Sequence, residues 1–292
     1  MRKEPRFVRR RRALAAGLLA LALAIGLAAV RHWKGNETAA RPASEPVART
    51  SERAPATTPA RPRGPHNDPV PILMYHVVAP PLASVPYPEL YVRPETFAAH
   101  VAMLARHGFH AVTLDQVYRY WVGIEKLPSK PIVFSFDDGY RSHYVNALPV
   151  LKKHGWPGVI NLETRNMHIS WGLSPRLLRK LIAAGWEIDS HTISHLDLTT
   201  LGAAELAREV GGSRRILQKE LGQPVNFLCY PSGRYDETVI AAVEAAGYRG
   251  ATTTEPGLAR PADVFKLARV RVNGSDSAAA LADRLRSLGV KV

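Results

Sequence analysis

From about Asp68 the chain alternates short apolar runs with amphipathic segments. Eight runs have the length and the β-branched and aromatic content of strands. They are "PILMY" (71–75), "HAVTL" (110–114), "PIVFSF" (131–136), "PGVINL" (157–162), "WEIDS" (186–190), "VNFLCY" (225–230), "YRGATT" (248–253) and "KLARVRV" (266–272). Between them lie helical patterns. "ETFAAHVAMLARHG" (95–108) ends on a glycine, and "SPRLLRKLIAAG" (174–185) opens with Ser174 as N-cap and Pro175 in the first turn. "AAELAREVGGSRRILQKELG" (203–222) and "DETVIAAVEAAG" (236–247) follow the same logic, with a kink expected at Gly211-Gly212. Repeated β-then-α units predict an α/β fold with a parallel sheet and crossover helices, and seven or eight such units predict a (β/α) barrel. In a barrel, functional groups gather at the C-terminal ends of the strands. That rule places His76, Asp137-Asp138, His191 and the Tyr230–Gly233 segment on one rim.

The first 67 residues read differently. Residues 1–12 form a basic segment that ends in the cluster Arg9 to Arg12. Ala13 to Val30 follows, 18 residues without a charge, close to the ~20 needed to span a bilayer. The flanking arginines orient it with the bulk of the chain outside the cytoplasm. Two readings stand: an uncleaved transmembrane anchor, which is favoured, or a signal h-region with cleavage near Ala22–Ala24. The first makes the protein membrane-anchored, with its domain in the periplasm or at the cell surface; the second makes it secreted. Residues 31–67, rich in Pro, Ala, Thr and Arg, lack periodicity and read as a disordered linker. The domain is expected over 68–292.

Charge adds a restriction. The formal net charge is +14, but residues 1–67 hold 14 lysines and arginines against 4 acids, a net of +10. The remaining 225 residues carry only +4. The basic excess belongs to the leader, so no nucleic-acid partner is expected. The single cysteine, Cys229, excludes an intramolecular disulfide. Neither observation decides an oligomeric state.

The chemistry is concentrated in two short stretches. "PIVFSFDDGYRS" runs a buried-type strand into two adjacent carboxylates, Asp137 and Asp138, and like charges side by side are costly unless a cation offsets them. "SHTISH" places His191 and His195 four residues apart, a spacing that on a helical turn puts both rings on one face. Two imidazoles and a carboxylate form a common hydrolytic zinc set, so Asp138, His191 and His195 are candidate ligands and Asp137 the candidate base.

At these residues the chain resembles the polysaccharide deacetylase family, the carbohydrate esterases with a NodB homology domain. The family's T-F-D-D-G motif is matched by Ser135–Gly139, and its H-[ST]-x-x-H motif by His191–His195. A third motif, R-x-P-Y-G-like, is present in altered form as Cys229–Gly233. The resemblance spans about residues 70–272. It implies a distorted (β/α) barrel and metal-dependent removal of N-acetyl groups from a glycan, with Asp137 as base and Asp138, His191 and His195 as ligands. Zn2+ is the expected ion, with Co2+ or Ni2+ suited to the same donors. Tyr230 and Ser232 are the expected substrate and oxyanion segment, with a backbone N–H near Ser232 as donor.

Two departures matter. The third-motif arginine that orients the base is replaced by Cys229, and no histidine follows His195, where the family carries a late L-x-H motif. In a closed barrel the first strand neighbours the last, so His76 of "PILMYHVV" can take the late histidine's place as the acid. That arrangement resembles the poly-β-1,6-N-acetyl-D-glucosamine N-deacetylase branch. Asp189, Arg269 and Arg271 are candidate supporting residues; of the last two, alternation puts one face toward the rim without saying which. Tyr140, Trp171 and Trp186 are candidates to stack on sugars and equally to join the core, and His143 is assigned to the surface or a turn. The expected function is N-deacetylation of an extracytoplasmic N-acetylglucosamine polysaccharide. Peptidoglycan or another acetylated glycan is the alternative substrate. The two departures also motivate a different class, a catalytically weak glycan-binding module.

Overall fold

All eight expected strands form, and all pair in parallel. They are β1 (Ile72–Tyr75), β2 (His110–Ala111), β3 (Pro131–Phe136), β4 (Val159–Leu162), β5 (Glu187–Ser190), β6 (Phe227–Cys229), β7 (Gly250–Pro256) and β8 (Leu267–Arg271). This computed structural model describes residues 66–292. The basic segment, the apolar run at 13–30 and nearly all of the linker expected at 31–67 lie outside the described residues. No helix among the described residues is long and apolar enough to cross a membrane.

Seven strands close into a ring in the order β1-β8-β7-β6-β5-β4-β3, with β1 pairing β3 to complete it. The short β2 pairs only with the start of β3. Every residue of β1 and β4 is buried, as expected of parallel strands covered on both faces. Closure puts β1 against β8, with Leu73 opposite Val270 and Met74 opposite Arg271. The β7–β8 register is irregular between Thr252 and Pro256, which distorts the barrel on that side.

Helices α1 (Pro94–Arg106), α2 (Leu114–Trp121), α3 (Leu148–Lys152), α4 (Pro175–Ala183), α5 (Ala203–Ala207), α6 (Ser213–Leu221), α7 (Glu237–Ala245) and α8 (Ala278–Ser287) accompany the strands. Capping explains where several begin. The expected strand 110–114 stops at Ala111 because Thr113 and Gln116 form a reciprocal capping box that starts α2. Asp236 caps α7 through the Val239 N–H, and Ser277 caps α8 through that of Ala280. The kink expected at Gly211-Gly212 is a π-helical segment, Arg208–Gly212, between α5 and α6.

His143, assigned to the surface from its neighbours, is fully buried. It sits in a π-helical turn, His143–Ala147, and its Nε2 donates to the His76 carbonyl, fixing the backbone where β1 ends. Burial drives its pKa down to about 4. Protonation is thus harder in the fold than in the unfolded chain, where histidine titrates near ~6.5. His143 therefore supports the fold fully above the unfolded value and loses that contribution as pH falls from there toward 4. The stability advantage of the wild type over His143→Gln should be largest above pH ~6.5 and shrink by about 1.4 kcal/mol per pH unit below it. Urea unfolding across the pH range measures this, and a constant gap would contradict it.

Candidate active site

The strand β3 continues one residue past its formal end, because the Asp137 N–H still donates to Tyr75 O at 2.9 Å. The chain then turns sharply. Asp138 has φ 69° and Gly139 φ 81°, both in the left-handed region. Aspartate tolerates this better than most residues. A Cβ at Gly139 would lie 2.2 Å from Leu162 Cδ1, so only glycine fits there. The Asn166 side-chain amide donates to Asp138 O at 2.9 Å and holds the turn. The result separates two carboxylates that are adjacent in sequence: Asp137 meets groups of the barrel interior and Asp138 meets the histidines.

Asp137 is bound by a fork. Arg269 Nη1 donates to Oδ1 and Nη2 to Oδ2, each at 2.8 Å, and Asn161 Nδ2 adds a third bond to Oδ1 at 2.7 Å. Arg269 is itself buried and fixed, with Nε on Thr253 O at 2.7 Å and Nη1 also reaching Ser135 Oγ at 3.2 Å. Burial alone would push the Asp137 pKa up; the guanidinium outweighs it and holds the carboxyl well below the usual carboxylate range. Of the two arginines on β8, Arg269 is thus the one that enters the barrel. It occupies the role left open by Cys229, whose Sγ lies 3.2 Å from Arg269 Nη2.

The stretch His191–His195 forms no helical turn, contrary to the expectation from its spacing. Thr192 and His195 adopt φ 65° and 54°, and the segment is an irregular turn after β5. The turn still brings the rings together, with centroids 4.7 Å apart and planes at 79°. Asp138 Oδ1 lies 3.6 Å from His191 Nε2 and 4.0 Å from His195 Nε2. Donor atoms of all three fall within 4.8 Å of one another. Two donors of a tetrahedral zinc ion at about 2.0–2.1 Å would stand ~3.4 Å apart, so the set fits such an ion with small adjustments. His191 Nδ1 donates to Cys229 O at 2.7 Å, which leaves Nε2 as the donor atom toward the centre. Without a cation, burial lowers the His195 pKa to about 4; at His191 burial pulls the same way, but Cys229 and the two aspartates outweigh it and raise the pKa to about 10. Asp137, His191 and Cys229 form another close group, but Arg269 already occupies both Asp137 oxygens and the sulfur, so a cation there would meet a guanidinium.

His76 follows β1, and its Nε2 lies 3.7 Å from Asp137 Oδ2. Burial lowers its pKa to about 4 despite the pull of Asp137 in the other direction. It lines a cavity of about 980 Å³ together with Asp137, Asp138, His191, His195, Ser232, Arg269 and Arg271. The stacked pair Tyr140–Trp171, with ring centroids 5.1 Å apart, also lines this cavity, and Trp171 is 49% exposed. A smaller cavity of about 240 Å³, lined by Asp115, Glu187 and Asn226, holds none of the motif residues.

Three expectations need correction. Tyr230 lines the cavity, but its hydroxyl donates to Phe265 O at 3.0 Å and its N–H to Thr252 O, so its polar groups are already partnered. Asp189 does not orient a ligand: it accepts the Phe227 N–H at 3.0 Å and ties β5 to β6, and the Cys229 carbonyl orients His191 instead. Trp186 is buried against Phe136 at 5.3 Å and cannot stack on a sugar. Ser232 does line the cavity, on a turn with φ 54°. Asn161 was missed altogether. Its signal was its position in "PGVINL", a polar residue inside an otherwise apolar strand.

Comparison with known proteins agrees with this geometry. The profile of the family described as polysaccharide deacetylase matches residues 124–251. YxkH of Bacillus subtilis, which carries a polysaccharide deacetylase name, is 31% identical over 220 residues, covering 75% of this chain and 77% of the relative. The chain belongs to the polysaccharide deacetylase family. It is therefore a hydrolase of N-acetyl amide bonds that acts on acetylated polysaccharide. It is similar also to the poly-β-1,6-N-acetyl-D-glucosamine N-deacetylase of Staphylococcus epidermidis, 26% identical over 200 residues, 62% of this chain and 68% of that one. Among solved structures, the Streptococcus pyogenes deacetylase PplD in complex with acetate superposes with a TM-score of 0.70 at 26% identity, over 75% of this chain and 99% of that one.

The Arg269–Asp137 pair yields a stability test. Removing one partner of a buried ion pair leaves an uncompensated charge, at a cost of about 3–5 kcal/mol. Arg269→Leu should destabilise the deacetylase by that amount in chemical unfolding, and adding Asp137→Asn should recover most of the loss. Additive losses in the double variant would show that the two side chains are not coupled.

Proposed function

We propose that this polysaccharide deacetylase is a metal-dependent N-deacetylase of extracytoplasmic poly-β-1,6-N-acetyl-D-glucosamine. The observation that carries the reading is the convergence of Asp138, His191 and His195 beside an ionised Asp137 and a neutral His76 in one open cavity. Asp138, His191 and His195 would hold a divalent cation, most simply Zn2+, whose chemistry there is to polarise the acetamide carbonyl and acidify water.

The chain's own residues do the rest. Asp137, kept ionised and immobile by Arg269, receives the proton of the attacking water. The water oxygen forms the new bond to the carbonyl carbon, and the turn at Ser232 is assigned the N–H that meets the charge growing on the carbonyl oxygen. His76, 3.7 Å from Asp137, starts neutral, takes the water-derived proton from Asp137 and gives it to the departing amine as the C–N bond breaks, which returns Asp137 to its ionised form. Acetate and a glucosamine unit result, and the water proton ends on nitrogen. The stacked Tyr140–Trp171 pair offers a flat apolar face to a sugar ring beside this centre.

The choice of glycan draws support from the named activity of the Staphylococcus epidermidis relative and from His76 filling the place of a late histidine. The location outside the cytoplasm rests on the arginine cluster and the apolar run at 13–30.

Acetate release from β-1,6-linked N-acetylglucosamine oligomers should stop with a chelator, return with Zn2+, and exceed release from β-1,4-linked oligomers. Chelator-insensitive turnover would remove the metal from the mechanism, and a β-1,4 preference would reassign the substrate. His76→Ala should lower kcat by about 10²–10⁴-fold with bound metal unchanged. Unaltered kcat would discard the role of His76.

A further inference from the structure

We propose that Glu209, on the π-helical segment of the outer helical layer, is a positioning residue that sets the cation affinity of the site by fixing the turn between His191 and His195. The inference rests on the reading of Asp138, His191 and His195 as a cation site.

The turn lies in no strand or helix. Two of its carbonyls, Thr192 O and Ile193 O, accept the Thr164 and Arg165 N–H groups at 3.0 and 3.2 Å, and its own N–H groups are each accounted for. His191 donates to Leu162 O at 2.9 Å. Thr192 donates to Ser190 Oγ, at the end of β5, at 3.2 Å, and His195 to Thr192 Oγ1, within the segment, at 3.1 Å. The two central N–H groups, of Ile193 and Ser194, both donate to one oxygen, Glu209 Oε2, at 3.0 and 2.9 Å. With Thr192 and His195 in left-handed conformations, this turn stores strain that outside contacts must offset. Glu209 supplies the two contacts at its middle.

Packing alone does not explain this residue. Glu209 is 0% exposed, and burying a carboxylate in a helical layer is costly where an apolar side chain would fill the space. Its other oxygen faces the Arg208 guanidinium at 3.0 Å, off the direction of a hydrogen bond, so the charge is offset without using the lone pairs that hold the turn. The helix is also deformed at this place. Arg208–Gly212 is π-helical, a costly insertion that clusters at functional sites. The buried Gly212 packs beside the turn, where an added Cβ would stand 3.2 Å from the end of the Ile193 side chain. Ser213, the next residue, accepts from Ser190 Oγ at 2.8 Å and so anchors the turn's other acceptor. Widened helix, small residue and buried acid all serve the same five residues.

The test is Zn2+ affinity of the full chain, measured against a chromophoric chelator, with the melting temperature of the metal-free protein recorded alongside. Glu209→Ala should weaken Zn2+ binding about 10–100-fold, the usual effect of losing an outer partner of a ligand. Glu209→Asp keeps the charge but is one methylene short of both N–H groups, and should weaken binding about 10-fold or more. Glu209→Gln keeps an acceptor oxygen and should stay within about 3-fold of wild type. Should Glu209→Ala fail to fold, the Asp and Gln variants still decide. Zn2+ affinity unchanged in Glu209→Asp, whatever happens to the melting temperature, would overturn the proposal and leave Glu209 a structural residue. Loss in Glu209→Gln equal to that in Glu209→Asp would overturn it too, because charge placement would then matter and not the hydrogen bonds. A wild-type chain that does not bind Zn2+ would instead sink the cation site itself, before any variant is compared.

Discussion

The buried ion pair between Arg269 and Asp137 is the interaction on which the rest of the site depends. A carboxylate with 2% exposure cannot stay ionised by itself. The guanidinium matches both of its oxygens, and three further acceptors around Arg269 leave the fork one orientation. With Asp137 so held, Asp138 is free to turn out of the strand toward the histidines. The like-charge problem posed by the adjacent aspartates is thus answered twice: by an arginine for the inner carboxylate, and by the imidazole pair with its implied cation for the outer one.

Barrel closure explains how residues so far apart in sequence share this centre. His76 ends β1 and Arg269 lies on β8, and these strands are neighbours because the ring closes between them. Asp137 follows β3, the other neighbour of β1, so the three residues come from three consecutive strands of the ring. Where the third-motif arginine is absent, Arg269 of the last strand binds Asp137, and His76, just after the first strand, lines the same cavity 3.7 Å from that carboxylate.

Much of this was legible in the chain. The strands were visible because fully buried parallel strands are runs of β-branched and aromatic residues, and their ends were right to within a few residues wherever no cap intervened. The candidate ligands were visible as two short motifs, the aspartate pair and the H-x-x-x-H pair, each at the end of an expected strand. What was hidden depended on three-dimensional register. Alternation along "KLARVRV" set Arg269 and Arg271 apart from Val270 and Val272 and could not say which face would meet the rim; both arginines line the cavity, and Arg269 is the one that reaches Asp137. His143 sits among polar neighbours and read as a surface group, yet packing buries it, and Trp186, open to either a sugar or the core, went to the core. The H-x-x-x-H spacing suggested a helix, but the turn is built by side-chain acceptors, two of whose contacts come from Glu209, fifteen or so residues away. Tyr230 matched a motif position while its side chain followed the core, since a motif fixes the backbone path more firmly than the direction of each side chain.

The seam between β1 and β8 also bears on how the molecule comes into being. Until the last strand docks, the inner aspartate is an ionised group in an apolar channel with no counter-ion, and the partly assembled sheet is penalised for holding it. Completing the ring and neutralising that charge are one event. Intermediates with most of the sheet in place thus gain little, and the energetic reward arrives at the end, which favours an all-or-none transition over a staircase of stable part-barrels.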